Sequence, residues 1–189
     1  MAYLSISQHS IEFESEFHLE LFVCESLLKA LNLKLLARQH PCQAGICDVL
    51  AIGPDRQLVI LELKNTVDSH VLEQITAYFD ALSLEQPFSD LVDYHRPIDL
   101  YTLCPDYVSR TPLILKYHKL DFRVLCYKIL ENSSNFLFHL YDWLAQQELL
   151  CLSIPVTKTQ NQAFALPSAP QSFINLLKKL QPDSQPLLE

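Results

Sequence analysis

The run "QLVILEL", Gln57 to Leu63, is apolar on both faces of the strand it would form until it reaches Glu62. Successive strand residues point to opposite sides, so a strand with one face in water alternates apolar with polar. This one does not. It needs cover above and below, which is the position of an interior strand in a layered α/β fold. The charges of Glu62 and Lys64 at its far end therefore need partners, because burying an unpaired charge is costly.

The flanking sequence supplies the layers. "CDVLAI" precedes the run, and "GPDR" between them carries the Gly, Pro and Asp of a hairpin connection. From Glu14 to Leu31, apolar Phe17, Leu21, Cys24, Leu27, Leu28 and Leu31 recur at helical spacing, and Asn32 ends the helix. "KLLARQ" reads as a short strand leading into a turn from Pro41 to Gly45. A second helix spans Ser69 to Gln86, with Val71, Ile75, Phe79 and Leu82 on one side. Beyond it, "IDLYTLC" and "FRVLCYKIL" read as strands around an imperfect helix, "PDYVSRTPLILKYHK", interrupted by Pro112. That βαβ order makes the two strands parallel. "NFLFHLYDWLAQQ" fits either strand or helix. From Pro155 the chain turns rich in Pro, Gln, Ser and Thr around one amphipathic patch, "SFINLLKKL". The expected division is a domain over 1–154 and an extension over 155–189, with the "CDVLAI" and "QLVILEL" strands at the centre of the sheet.

With 189 residues, 49% of them hydrophobic, the chain can close one core. No apolar run approaches the roughly 18 residues of a membrane span, and the first residues lack a basic or apolar leader, so a cytoplasmic protein is expected. The six cysteines lie mostly in apolar segments and are expected to be buried and reduced. His40, Cys42 and Cys47 cluster in "HPCQAGIC", but no matching second pair completes a zinc set. A net charge of −8, with 14 scattered basic residues, argues against a tight non-specific grip on duplex nucleic acid. Any such contact must be local, bridged by metal, or shared with a partner.

Glu62 and Lys64 share a strand face, and Asp48 begins the preceding strand of the hairpin. Asp48 opposes Glu62 if Gly53 pairs with Gln57 around the loop Pro54-Asp55-Arg56, if Ile52 pairs with Leu58 around a five-residue loop, or if a bulge near Cys47 corrects an even loop. Two carboxylates so placed need a shared proton, a basic partner or a divalent cation. Lys64 neutralises one of them. Two carboxylates with the Leu63 carbonyl make a partial oxygen shell for Mg²⁺, and a metal-held water beside Lys64 is placed to attack phosphorus.

The order Asp48, then Glu62-Leu63-Lys64, resembles the PD-(D/E)XK nuclease superfamily, with Cys47 standing where proline is usual. "QITAY" places Gln74 and Tyr78 at i and i+4 of the following helix and resembles the QxxxY motif of the RecB-like branch. Together with "ESEFHLELFVCESL", these segments are similar to endonuclease domains acting on mismatched or branched DNA, over roughly residues 12 to 130. The resemblance implies an α/β fold with a restriction-endonuclease-like three-layer α/β/α core and a mixed central sheet. It implies a Mg²⁺-dependent deoxyribonuclease, with Mn²⁺ as substitute, in which Asp48, Glu62 and Leu63 hold the metal and Lys64 orients water. A first-helix carboxylate joins them: Glu20 by its distance from the helix end, with Glu16 one turn earlier as the fallback. Gln74 and Tyr78 would contact substrate. The implied partner is DNA, with a homodimer or another protein supplying basic surface. Two further readings stay open, a catalytically silent nuclease fold used for binding or assembly, and a subunit active only with a partner.

Overall fold

The computed structural model describes residues 4–6, 11–133 and 135–154. The Pro-rich extension and its amphipathic segment lie outside the described residues. A small hairpin, β1 (Leu4–Ile6) and β2 (Ile11–Phe13), leads into a helical segment made of α1 (Glu16–Phe22), a π-helical turn (Val23–Leu27) and α2 (Leu28–Ala30). Next come β3 (Lys34–Cys42), β4 (Gly45–Ile52), β5 (Leu58–Leu63), α3 (Val71–Glu85), β6 (Asp99–Cys104), α4 (Thr111–Tyr117), β7 (Phe122–Asn132), β8 (Asn135–Asp142) and β9 (Gln147–Ile154).

Strands β3 to β9 form one mixed sheet in chain order. The β5–β6 and β6–β7 pairs are parallel, and the other neighbours are antiparallel. All six residues of β5 are buried. Val59, Leu61 and Leu63 pack on one face with Leu19, Phe22, Val23 and Leu27 of the first helical segment. Leu58 and Ile60 pack on the other with Ile75, Tyr78 and Leu82 of α3. The result is a three-layer α/β/α core, as the doubly apolar strand requires. The middle position belongs to β6, however, while β5 is third and β4 second. The expectation of β4 and β5 at the centre is corrected by β8 and β9, which extend the sheet on the far side.

The β4–β5 hairpin closes on the three-residue loop. Gly53 N donates to Gln57 O at 3.0 Å, Arg56 N donates to Gly53 O at 3.1 Å, and Arg56 takes the left-handed conformation, φ 64°. This is a tight turn followed by one αL residue, a form common in three-residue hairpins. Val49 then faces Leu61 and Leu50 faces Ile60, the register that puts Asp48 on the face of Glu62.

Other expectations change. The first helical segment buries Leu19, Phe22 and Val23, not Phe17, which is 57% exposed. The π turn adds a residue to one helical repeat, with Leu28 N bonded to Val23 O, and a strict 3.6 period cannot follow that offset. Pro112 opens α4 in its first turn, where its missing N–H has no intrahelical partner to lose, so it starts the helix rather than interrupting it. Pro41 lies within β3, an edge strand, where the same argument holds. "NFLFHLYD" is a strand, and β9 was not foreseen. Its inward set, Leu150, Leu152 and Ile154, packs on the core while its other face stays open.

Phe138, fully buried in β8, stacks on Tyr127 at 5.4 Å and contacts Phe22 at 4.7 Å between ring centroids. Phe138→Ala is expected to cost about 3–5 kcal/mol, measured by denaturant unfolding. A loss below about 1 kcal/mol would mean this aromatic cluster is not the core it looks to be.

Candidate active site

The β4–β5 ladder ends at Val49 and Leu61. One residue further, the side chain of Asp48 takes over: its Oδ2 accepts from Leu63 N at 2.9 Å. Lys64 N then donates to Leu103 O of β6 at 2.9 Å, carrying the end of β5 over to its other neighbour. Asp48 is thus fixed by the backbone of the strand that bears Glu62.

Glu62 is fully buried. Its Oε1 accepts from Lys64 Nζ at 2.8 Å, and its Oε2 is buried with no hydrogen-bond partner among the described residues. Thr102 faces Glu62 across the β5–β6 ladder, but its hydroxyl lies 2.8 Å from Tyr107 Oη, which in turn donates to Leu125 O. Burial first, then the nearby Asp48 charge, pushes the Glu62 carboxyl up to about 8. Burial likewise raises Asp48, against the Leu63 N–H, Lys64 and Gln39, which pull it down. Burial also works against the Lys64 charge, but Glu62, Glu16 and Asp48 together outweigh it and hold the ammonium above its usual value.

The first helical segment contributes two carboxylates with different surroundings. Glu20 is buried, and Arg38 Nε and Gln39 Nε2 donate to its two oxygens. Gln39 Nε2 also reaches Asp48 Oδ1 at 3.3 Å, which links Glu20 to the site at one remove. Glu16 is exposed and accepts from Asn65 N at 3.4 Å. Its charge is the one from this segment that acts on Asp48, Glu62 and Lys64. Glu16, Phe17, Glu20, Arg38, Gln39, Asp48 and Leu63 line a cleft of about 470 Å³.

On the α3 side, Gln74 Nε2 donates to Tyr78 Oη at 2.9 Å, and Tyr78 Oη donates to Ile46 O at 2.7 Å. The pair braces the start of β4, two residues before Asp48. Gly45, at φ 135°, lies under the same ring, where an added Cβ would stand 3.6 Å from Tyr78 Cε1.

Arg38, Gln39 and Asn65 were not foreseen. Gln39 adopts φ 47° within β3, a left-handed backbone that no sequence pattern announces. Asn65 had a visible signal, as the polar residue directly after Lys64: its Nδ2 donates to Phe13 O at 2.6 Å, and its Oδ1 accepts from Tyr127 Oη at 3.0 Å. The six cysteines are free thiols, but Cys151 is exposed, contrary to expectation. His40 rests against the Phe88 ring at 5.6 Å while Cys47 is buried.

The mixed seven-stranded sheet with helices on both faces matches the architecture expected from the motifs. No family model matches the chain, and no curated protein does. Among solved structures, the chain is similar to EndoMS in complex with dsDNA, at 24% identity and TM-score 0.47, over 58% of this chain and 44% of that one. It is also similar to a repair endonuclease from Pyrococcus abyssi, at 23% identity and TM-score 0.44, over 64% of this chain and 48% of that one. An apo form of EndoMS matches at 18% identity and TM-score 0.43, over 71% of this chain and 66% of that one. The chain spans about half the length of the first two. No helix among the described residues is long and apolar enough to cross a membrane.

The raised Glu62 carboxyl has a consequence for stability. A group that holds its proton more tightly when folded stabilises the native state fully below its ordinary value of 4.5, and that contribution is lost as pH rises through about 8. In EDTA, the difference in melting temperature between wild type and Glu62→Gln should therefore shift against the wild type across this window. Parallel profiles would show that Glu62 does not hold the proton.

Proposed function

We propose that the protein is a divalent-metal-dependent phosphodiesterase acting on DNA. The observation that carries this reading is Glu62: a fully buried carboxylate with one oxygen on Lys64 and the other without a partner among the described residues, on the sheet face shared with Asp48. Within a protein interior, an unpartnered charged oxygen is costly. A hard cation with oxygen ligands is the partner this donor set suits. Asp48, Glu62 and the Leu63 carbonyl would hold Mg²⁺, or Mn²⁺ in its place. Bound there, the cation supplies Lewis-acid stabilisation of phosphate charge and an activated water.

The remaining roles belong to the side chains themselves. Lys64, held at 2.8 Å from Glu62, keeps a positive charge at the site, orients the attacking water and draws the phosphate. Glu16 and Glu20 divide the part expected of one helix carboxylate. Glu16 acts through its charge, and Glu20 acts through Gln39, which holds Asp48. Gln74 and Tyr78 keep the start of β4, and so Asp48, in place beside the substrate. DNA as substrate is supported by the order of Asp48, Glu62-Leu63-Lys64 and Gln74-x-x-x-Tyr78, which resembles that of PD-(D/E)XK nucleases. With a net charge of −8, the isolated chain binds duplex weakly, and a second copy or another protein supplies basic surface.

The test is cleavage of labelled single-stranded, duplex, flapped and mismatched DNA in Mg²⁺ or Mn²⁺, with EDTA as control. Cleavage of at least one substrate that EDTA abolishes is expected. Lys64→Ala should lower its rate by roughly 10²-fold or more while retaining Mn²⁺ affinity, and Asp48→Ala should lose both. EDTA-resistant cleavage, or equal loss of Mn²⁺ affinity in the two variants, contradicts the assignment.

A further inference from the structure

At the edge of the sheet away from Asp48, β8 and β9 bring together His139, Glu148 and Cys151. A ring nitrogen of His139, the Cys151 thiol and a Glu148 carboxylate oxygen all lie within 4.8 Å of one another. Cys151 Sγ is 3.7 Å from His139 Nε2, and Glu148 Oε1 is 3.1 Å from His139 Nδ1. We propose that these three side chains form a binding site for a transition-metal ion of the zinc class, separate from the Asp48–Glu62 site, with water in the fourth position.

The backbone supports this grouping. His139 faces Cys151 and Leu140 faces Leu150, but Tyr141 faces Glu148, so Leu149 is an extra residue in β9. In a regular strand Glu148 and Cys151, three apart, point to opposite faces. The bulge at Leu149 turns Glu148 onto the face of Tyr141 and His139, where Cys151 already points. Bulges are found where a strand must re-aim a side chain, and here the re-aimed side chain is the third ligand.

The chemistry selects the ion. Thiolate, imidazole and carboxylate are the three ligand types of zinc, whereas Mg²⁺ takes oxygen. Zinc bonds of about 2.3 Å to sulfur and 2.0–2.1 Å to nitrogen set tetrahedral S and N ligands roughly 3.5 Å apart, close to the separation between Cys151 and His139. Lys128 faces His139 across the β7–β8 ladder, and its ammonium lies over the Tyr141 ring, 5.7 Å from the centroid. Glu148 and Cys151 are exposed, so an ion has access. Binding releases the thiol proton and leaves the metal oxidation state unchanged.

The test uses the full chain, stripped with EDTA, reduced, and titrated with Co²⁺ as a spectroscopic stand-in for zinc. A sulfur-to-cobalt charge-transfer band in the near ultraviolet is expected. It should vanish in Cys151→Ser, fall roughly tenfold in affinity in His139→Ala and Glu148→Gln, and persist unchanged in Asp48→Asn. In the wild type, Zn²⁺ should remove the band and slow alkylation of Cys151 as followed by mass spectrometry. No band in the wild type, a band kept in Cys151→Ser, or a band lost in Asp48→Asn each overturns the proposal. Since cobalt–thiolate absorption does not depend on DNA cleavage, failure here leaves the phosphodiesterase reading intact, and the reverse also holds.

Discussion

Everything in the site depends on burying Glu62 at the end of a strand whose other five side chains are apolar. Each of Leu58, Val59, Ile60, Leu61 and Leu63 contributes about 1.5–3 kcal/mol on burial, against several kcal/mol for taking an ionised carboxylate out of water. The strand goes in and carries the Glu with it. Lys64 accounts for one carboxylate oxygen, and nothing in the described protein accounts for the other. The strain is local and electrostatic. A rigid, fully covered strand cannot relieve it by moving, so the carboxyl either keeps a proton or meets a cation.

The hairpin register converts that buried charge into a site. Because strand faces alternate residue by residue, a loop one residue longer or shorter would turn Asp48 to the opposite side of the sheet from Glu62. The left-handed Arg56 prevents this by closing the three-residue loop, and its side chain is tied down as well: Nε donates to Leu91 O at 2.8 Å, and the guanidinium reaches Asp90 O at 3.1 Å. Gln57 adds a second tie, with its amide on Asp99 Oδ2 at 3.2 Å. The loop far from the chemistry is therefore what keeps the two carboxylates on one side.

What was legible in the sequence follows from how local each signal is. The β4–β5 hairpin, α3 and the parallel β6–β7 pair announce themselves through patterns spanning a few residues, and so do Asp48, Glu62 and Lys64. The inward face of the first helical segment was misread because a π turn shifts the phase partway along it. β9 was missed because its outward face mixes Cys, Ser and Glu with its bulge, leaving only three inward apolar residues as a pattern. Arg38 and Gln39 could not be found at all from local pattern: they reach Glu20 from β3 across 18 and 19 residues of chain, and only the folded sheet brings them together.

The two carboxylates of α1 show how the same sequence spacing supports two different physical roles. Glu16 and Glu20 stand one turn apart on one helix face, yet one is exposed and the other buried. Glu20, inside, must have its charge matched, and Arg38 with Gln39 does so at both oxygens. That leaves it saturated, able to act on Asp48 only through the amide of Gln39. Glu16, outside, needs no such partner and keeps its field directed at Asp48, Glu62 and Lys64. Distance from the helix end, the criterion available in the sequence, points to Glu20, whereas the charge from this helix that acts on Asp48, Glu62 and Lys64 is that of Glu16. The difference arises from β3, whose left-handed Gln39 turns one side chain into the link between the buried helix carboxylate and the hairpin Asp.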